Sequence, residues 1–349
     1  MNKKSFGQIA DGTEANLYTI CNSNGMKAEV TEFGASLVSL TVKDAQGKDT
    51  DVILGHDNAL GYQKEMSCFG SVVGRNCNRI SFAEIEIDGV KYSLEANDND
   101  NMLHSGSQGT AWRMWKVTEY TENKIVLAIE DAHLQQGFPG NAQISVTYEV
   151  TEQGELSIRY HATADKKTVF NFTNHAYFNL NGAGSGTALN HTLQIMASHY
   201  TPVENSHAIP TGEIAEVAGT PFDFREPKPI GKDIAADDAQ LKYTSGYDHN
   251  FVIDKKQNGV ELAAIAHSDK SGIRMEVWTD CVGMQLYTGN HLDGEQGKNG
   301  IIYHNADAFC LETQYFPNAV NEPNFVSPLT DAGAAYDSQT IYRFMTDEG

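Results

Sequence analysis

Three ionisable side chains stand in apolar or aromatic company, in places where chemistry would need them. His175 lies in FNFTNHAYFNLNG (170–182), among phenylalanines and a tyrosine. Glu312 sits between Leu311 and Thr313 in FCLETQYFPNAVNEPNF (309–325), and Asp248 opens onto aromatic neighbours in YDHNF (247–251). Apolar neighbours imply burial, and buried polar groups need partners or a task. An imidazole, with an ordinary pKa of about 6.5, can give or take a proton at cellular pH. A carboxylate enclosed in an apolar strand has its pKa raised and becomes a candidate base. Asparagines such as Asn174 can orient the imidazole, and aromatic rings such as Tyr177 and Phe178 form floors on which sugars lie. The plainer alternatives are a core histidine bonded to Asn174 or a backbone carbonyl, and a glutamate facing solvent on the alternate side of its strand.

Two further strings carry polar groups. GSVVGRNCNRISF (70–82) holds Arg75, Asn76, Asn78 and Arg79 ahead of a strand. It lacks the G-x-x-x-x-G-K-[ST] order and the following helix of a phosphate loop. In a chain with 25 basic residues against 46 acidic ones, two neighbouring arginines invite either a partner or a surface salt bridge. NDNDNMLHSGSQG (97–109) ends on His104, and its acidic start lacks the ligand order of a calcium loop. The twelve histidines show no H-x-H or H-E-x-x-H spacing, so no metal is expected. A serine nucleophile elbow is missing too. Asp248 and Glu312 could in principle form the carboxylate pair of a glycoside hydrolase.

The elements that must position these groups read as strands from end to end. SLVSLTVK (37–44), EIEIDGVKYSLE (84–95), KIVLAIE (124–130) and AQISVTYEVTEQGELSIRYHATA (142–164) alternate or are rich in β-branched and aromatic residues. HNFVIDKK (249–256), GIRMEVWTD (272–280), GMQLYTGN (283–290) and AFCLETQYF (308–316) continue the pattern. Asp88-Gly89 is a strong hairpin signal, Glu152-Gln153-Gly154 reads as a second, and DAQGKD (44–49) as a third turn. Only NALGYQKE (58–65) offers a turn or two of helix, and NGAGSGTALN (181–190) reads as a surface loop. Many strands without crossover helices imply an all-β, large antiparallel sandwich, expected as one domain over 1–349.

A net charge of −21 argues against nucleic acid and anionic membranes as partners, both of which need positive surface. The five cysteines are scattered and odd in number, which supports neither a zinc ribbon nor a disulfide framework. With no apolar leader visible in MNKKSFGQIADGTEAN, a reduced, cytoplasmic location is expected. The charge also favours a monomer, or at most a weak homodimer.

Taken together, GRNCNRI, NMLHSG, NFTNHAYFNLNG, YDHNFV, GMQLYTGN and LETQYFPNAVNEPNF, in that order, resemble the aldose 1-epimerase (galactose mutarotase) family over nearly the whole chain. The resemblance implies a large antiparallel β-sandwich, the galactose mutarotase-like supersandwich. It also implies interconversion of the α and β anomers of free aldoses such as galactose and glucose, without a cofactor. Glu312 would be the general base and His175, as an imidazolium, the general acid. Asn78, Arg79, His104, Asp248 and Gln285 would hold the sugar hydroxyls and ring oxygen. Ser105, where many members have glycine, and Cys77, where many have alanine, are departures. A hexose-6-phosphate 1-epimerase, which needs a basic cluster, and a non-catalytic sugar-binding protein on the same fold are the rival readings.

Overall fold

The computed structural model describes residues 2–64 and 67–346. Its largest element is a nine-stranded sheet that starts at Lys116–Tyr120, Lys124–Asp131, Ala142–Val150 and Glu155–Ala164. It continues through Ala335–Thr346, Ile273–Thr279, Glu261–His267, Thr192–Ile195 and Lys228–Pro229, every pairing antiparallel. The period-2 pattern sets which side is buried. Ile144, Val146, Tyr148 and Val150 pair with Ala162, Tyr160, Ile158 and Leu156 to form one continuous apolar face. The residues between them are more exposed, as in Gln143. The Val150–Glu155 and Ile87–Val90 connections turn where the sequence signals placed them, with Asp88 and Gly89 both at positive φ as a tight hairpin turn requires. The turn at 44–49 joins Leu37–Lys43 to Asp49–Asp51 in a five-stranded N-terminal sheet.

A second five-stranded sheet carries the site. Its order is Ala215–Glu216, His199–Thr201, Asp248–Val252, Gly283–Tyr287 and Cys310–Gln314. Register decides which side chains share a face, because directly opposed residues point the same way. Asp248 lies opposite Tyr287 and Tyr287 opposite Cys310, while Asn250 lies opposite Gln285 and Gln285 opposite Glu312. Those polar groups therefore occupy one face. The other face carries Phe251, Met284, Leu286 and Leu311 and joins the main core. Tyr342 Oη donates to the Leu311 carbonyl at 3.2 Å, which ties this back face to the nine-stranded sheet.

Helix is confined to two six-residue pieces and some single 3-10 turns among the described residues. Ala59–Lys64 matches the expected short helix, and Glu65, the end of that expectation, lies outside the described residues. Ala239–Thr244 was not foreseen. It is held by the Asp238 side chain, which accepts from the amides of Gln240 and Leu241, and ends at Ser245 in the left-handed region. Neither helix is long or apolar enough to cross a membrane.

Candidate functional site

The segment bearing His175 reaches the sheet by backbone pairing. Phe178 and Phe309 exchange amide–carbonyl hydrogen bonds of 2.7 and 3.0 Å, laying this segment beside the strand Cys310–Gln314. On its other side His175 exchanges amide–carbonyl bonds with Ser71 (3.0 Å) and Gly70 (2.8 Å). His175 is thereby clamped over the polar face, with Nε2 3.6 Å from Glu312 Oε2. Its Nδ1 lies 3.7 Å from Cys310 Sγ, and its ring stacks on Tyr177 at 5.0 Å.

The groups enclose a cavity of about 230 Å³ lined by Asn78, Arg79, His104, His175, Asp248 and Glu312, with Tyr177 and Tyr287 as aromatic wall. Drug-sized ligands occupy pockets of roughly 300–1,000 Å³, so this cavity suits a guest of monosaccharide size. Six of the seven expected site residues thus meet in one place. Gln285 does not line the cavity. Fully buried behind it, Gln285 donates from Nε2 to Asp248 Oδ1 at 2.7 Å and so holds that carboxylate.

Arg79 reaches the same carboxylate from the other side, with Nη1 3.5 Å from Asp248 Oδ2, and its Nε donates to Asp98 Oδ2 at 2.9 Å. Arg75 faces away from the cavity. It is neither a sugar ligand nor a surface ion pair, but a fully buried guanidinium bonded to Asp131 Oδ2 (2.5 Å) and to the carbonyls of Pro139 and Gly140 (both 2.8 Å). Ser105 adopts the positive φ for which glycine is usual. It turns the residue to use, since its hydroxyl accepts from the Asn76 amide and donates to the Asn76 carbonyl.

Burial sets the protonation of the pair. Glu312 is 2% exposed, and its Oε2 has no hydrogen-bond partner among the described residues. Burial, and secondarily Asp248, push its carboxyl well above the usual range, with Arg79 opposing. Burial likewise pulls His175 down to about 4, against the favourable effect of its own carbonyl and of Asp248. Both shifts oppose charge separation within the pair. They favour a carboxylic acid beside a neutral imidazole over the expected carboxylate and imidazolium.

His104 is set by a different contact. The Asn78 amide donates to its Nδ1 at 3.1 Å, which makes that nitrogen an acceptor and leaves the proton on Nε2. Burial, and the nearness of His175 and Arg79, depress its pKa well below the ordinary value, so it stays neutral. Ring nitrogens of His104 and His175 and an oxygen of Glu312 lie within 4.8 Å of one another, a spacing that resembles a metal triad. A protonated Nε2 is a hydrogen-bond donor and not a metal ligand, so the donor set does not fit a cation.

Sequence reasoning missed Cys68, Tyr287 and His291 on the cavity wall. Tyr287 was within reach, because it stands two residues from Gln285 in the same strand and hence on the same face. Cys68 and His291 lie in connections with no such periodicity.

The aldose 1-epimerase family model matches residues 16–343. Galactose mutarotase of Homo sapiens is 37% identical over 340 residues, 97% of each chain. Aldose 1-epimerase of Escherichia coli K12 is 34% identical over 339 residues, again 97% of each. Among solved structures, the GalM/aldose epimerase homologue from C. elegans superposes with a TM-score of 0.86 at 32% identity, covering 95% of this chain and 99% of its own. Galactose 1-epimerase from Lactobacillus acidophilus follows with a TM-score of 0.85 at 28% identity over 99% and 98% of the two chains.

Proposed function

The chain belongs to the aldose 1-epimerase family, and from that premise we propose that it interconverts the anomers of free aldoses, with Glu312 and His175 as its acid–base pair. The observation that carries this reading is the 3.6 Å approach of a buried, unpartnered carboxyl oxygen to a buried imidazole nitrogen across a monosaccharide-sized cavity.

The resting pair holds one proton. Acid plus imidazole and carboxylate plus imidazolium differ only by where that proton sits. A sugar hydroxyl that hydrogen-bonds Glu312 Oε2 favours the charged carboxylate and so moves the proton to His175. Glu312 then takes the proton of the C1 hydroxyl as the bond from C1 to the ring oxygen breaks, and His175 protonates that oxygen. The open-chain aldehyde turns about C1–C2. Closure on the other face runs the two transfers in reverse, returning both residues to their starting states. Each positioned acid or base contributes about 10²–10⁴-fold. His104 Nε2–H and the Arg79 guanidinium are donors for oxygens whose charge rises during opening. Asn78 is a further hydroxyl ligand, Asp248 accepts from hydroxyls, and Gln285 positions Asp248.

Other readings fit the cavity less well. A hexose 6-phosphate needs free basic groups, whereas Arg79 is engaged by two carboxylates and Arg75 lies elsewhere. In a glycoside hydrolase the acid–base work would fall to Asp248 and Glu312, leaving the 3.6 Å approach of His175 to Glu312 without a task. We further propose that residues 1–349 form one catalytic unit, drawn together by a site spanning positions 78–312. A monomer or weak homodimer in the reducing cytoplasm is consistent with the five free cysteines, three of them buried thiols.

The test is polarimetry on freshly dissolved α-D-galactose with wild type beside Glu312→Gln. Acceleration by wild type alone supports reaction and base together. Equal acceleration by both defeats the role given to Glu312, and none with galactose, glucose or xylose defeats the enzymatic reading.

A further inference from the structure

Charge is unevenly distributed around the cavity. Among the described lining residues Arg79 is the sole lysine or arginine, and both of its described contacts are with carboxylates, Asp98 and Asp248. Asp248 and Glu312 line the wall themselves. His104 and His175 are held neutral by burial and add no positive charge, leaving His291 at the exposed rim. One guanidinium thus faces three carboxyl groups, in a chain whose net charge is −21.

Resting on the aldose 1-epimerase reading, we propose that this cavity sorts monosaccharides by sign: neutral hexoses and cationic 2-amino-2-deoxyhexoses enter as substrates, and uronic acids and sugar phosphates do not. An anion in so small a space meets Asp248, and Glu312 whenever that group is ionised, while the one guanidinium is already shared between two carboxylates. Water that would screen the repulsion is displaced by the sugar. An ammonium group meets the same two carboxyls with the opposite sign. Arg79 keeps uncommitted N–H donors, but its charge is already set against Asp98 and Asp248, so an anion that bonds to it meets no net positive charge.

The experiment compares kcat/KM for galactose and four relatives of nearly the same shape, at a pH where the amine is charged. 6-Deoxygalactose and 2-deoxygalactose give the cost of losing each hydroxyl. Galacturonate then reports a negative charge at the sixth carbon, and galactosamine a positive charge at the second. The expected outcome is galacturonate about 100-fold or more below 6-deoxygalactose, with galactosamine at or above 2-deoxygalactose. Asp98→Asn, which releases one claim on Arg79, should narrow the galacturonate deficit about tenfold. Galacturonate matching 6-deoxygalactose, or galactosamine falling below 2-deoxygalactose, overturns the proposal. So does a deficit that vanishes in high salt, because that would place the discrimination on the protein surface. If galactose itself is not turned over, the enzymatic reading has failed. The charge order is then still decided by calorimetric binding of the same five sugars.

Discussion

Arg75 and Glu312 are equally buried ionisable groups, and their surroundings are opposite. The guanidinium bonds to the Asp131 carboxylate, to four backbone carbonyls and to the Thr168 hydroxyl, so that every donor nitrogen is engaged. The carboxyl has one oxygen with no partner, a second carboxylate nearby and an open cavity in front. A buried charge whose hydrogen bonds are complete is architecture. A buried acid left incomplete is a group whose partner arrives from outside, and the fold bears a cost until it does.

The contrast breaks most sharply at the incomplete end. Glu312→Gln and His175→Asn should each lower kcat by about 10²–10⁴-fold in polarimetry, with sugar binding largely retained by calorimetry. Glu312→Gln should at the same time raise Tm at neutral pH, by an amount equivalent to about 1.4 kcal/mol per unit by which burial has raised the carboxyl. The sign follows from linkage. A carboxyl whose folded pKa lies above its unfolded one costs nothing while both states are protonated, and the cost grows as pH rises from the ordinary carboxyl range to the raised value. The Tm difference should therefore shrink as the buffer is taken down into that ordinary range, and a gain of the same size at acid pH would refute this account.

At the complete end the effect should fall on stability alone. Arg75→Ala strips Asp131 of a partner and should cost about 3–5 kcal/mol in urea denaturation, while kcat per folded molecule stays close to wild type. A large loss of kcat in the folded fraction would show that Arg75 shapes the cavity after all.

The pH profile tests the shared proton. The active form of the pair carries one proton, so kcat/KM should fall below about 4, where His175 gains a second. It should fall again at the raised pKa of Glu312, where the pair loses its only one. The charged groups facing the pair are Arg79 and Asp248, with neutral His104 beside them. Burial pushes the nearby thiols of Cys68, Cys77 and Cys310 and the phenols of Tyr177 and Tyr287 upward, away from this window. A profile with its acid limb at the ordinary histidine pKa would contradict the shared proton. Gln285→Met should have the smallest effect, about tenfold in kcat/KM, because Asp248 keeps Arg79 when it loses the amide.

The sequence was readable wherever one strand's own pattern carries the information. Alternation announced the sandwich and Asp88-Gly89 its hairpin, and an acid between Leu311 and Thr313 raised a buried carboxyl as one of two readings. What depends on the meeting of distant strands was not readable. Apart from the family resemblance, nothing in GRNCNRI separates Arg75 from Arg79, since their fates are decided by Asp131 in one case and by Asp98 and Asp248 in the other. Gln285 looks like a cavity ligand until its register beside Asn250 and Glu312 places it behind Asp248. The resting protonation of His175 and Glu312 is equally a product of burial by several segments. Ala239–Thr244 was missed although the equally short Ala59–Lys64 was not, and what starts it is the Asp238 side-chain cap rather than a helical stripe.

The strand Ala335–Thr346 lies between Glu155–Ala164 and Ile273–Thr279 in the middle of the nine-stranded sheet. On the ribosome it emerges after every other strand of that sheet. Until then the earlier strands form two separate blocks, each ending in a long edge of unpaired amides and carbonyls, the kind of edge that recruits strands from other chains. Completion of the sheet thus waits for Ala335–Thr346, and a nascent chain stalled short of Ala335 exposes two aggregation-prone edges to its neighbours.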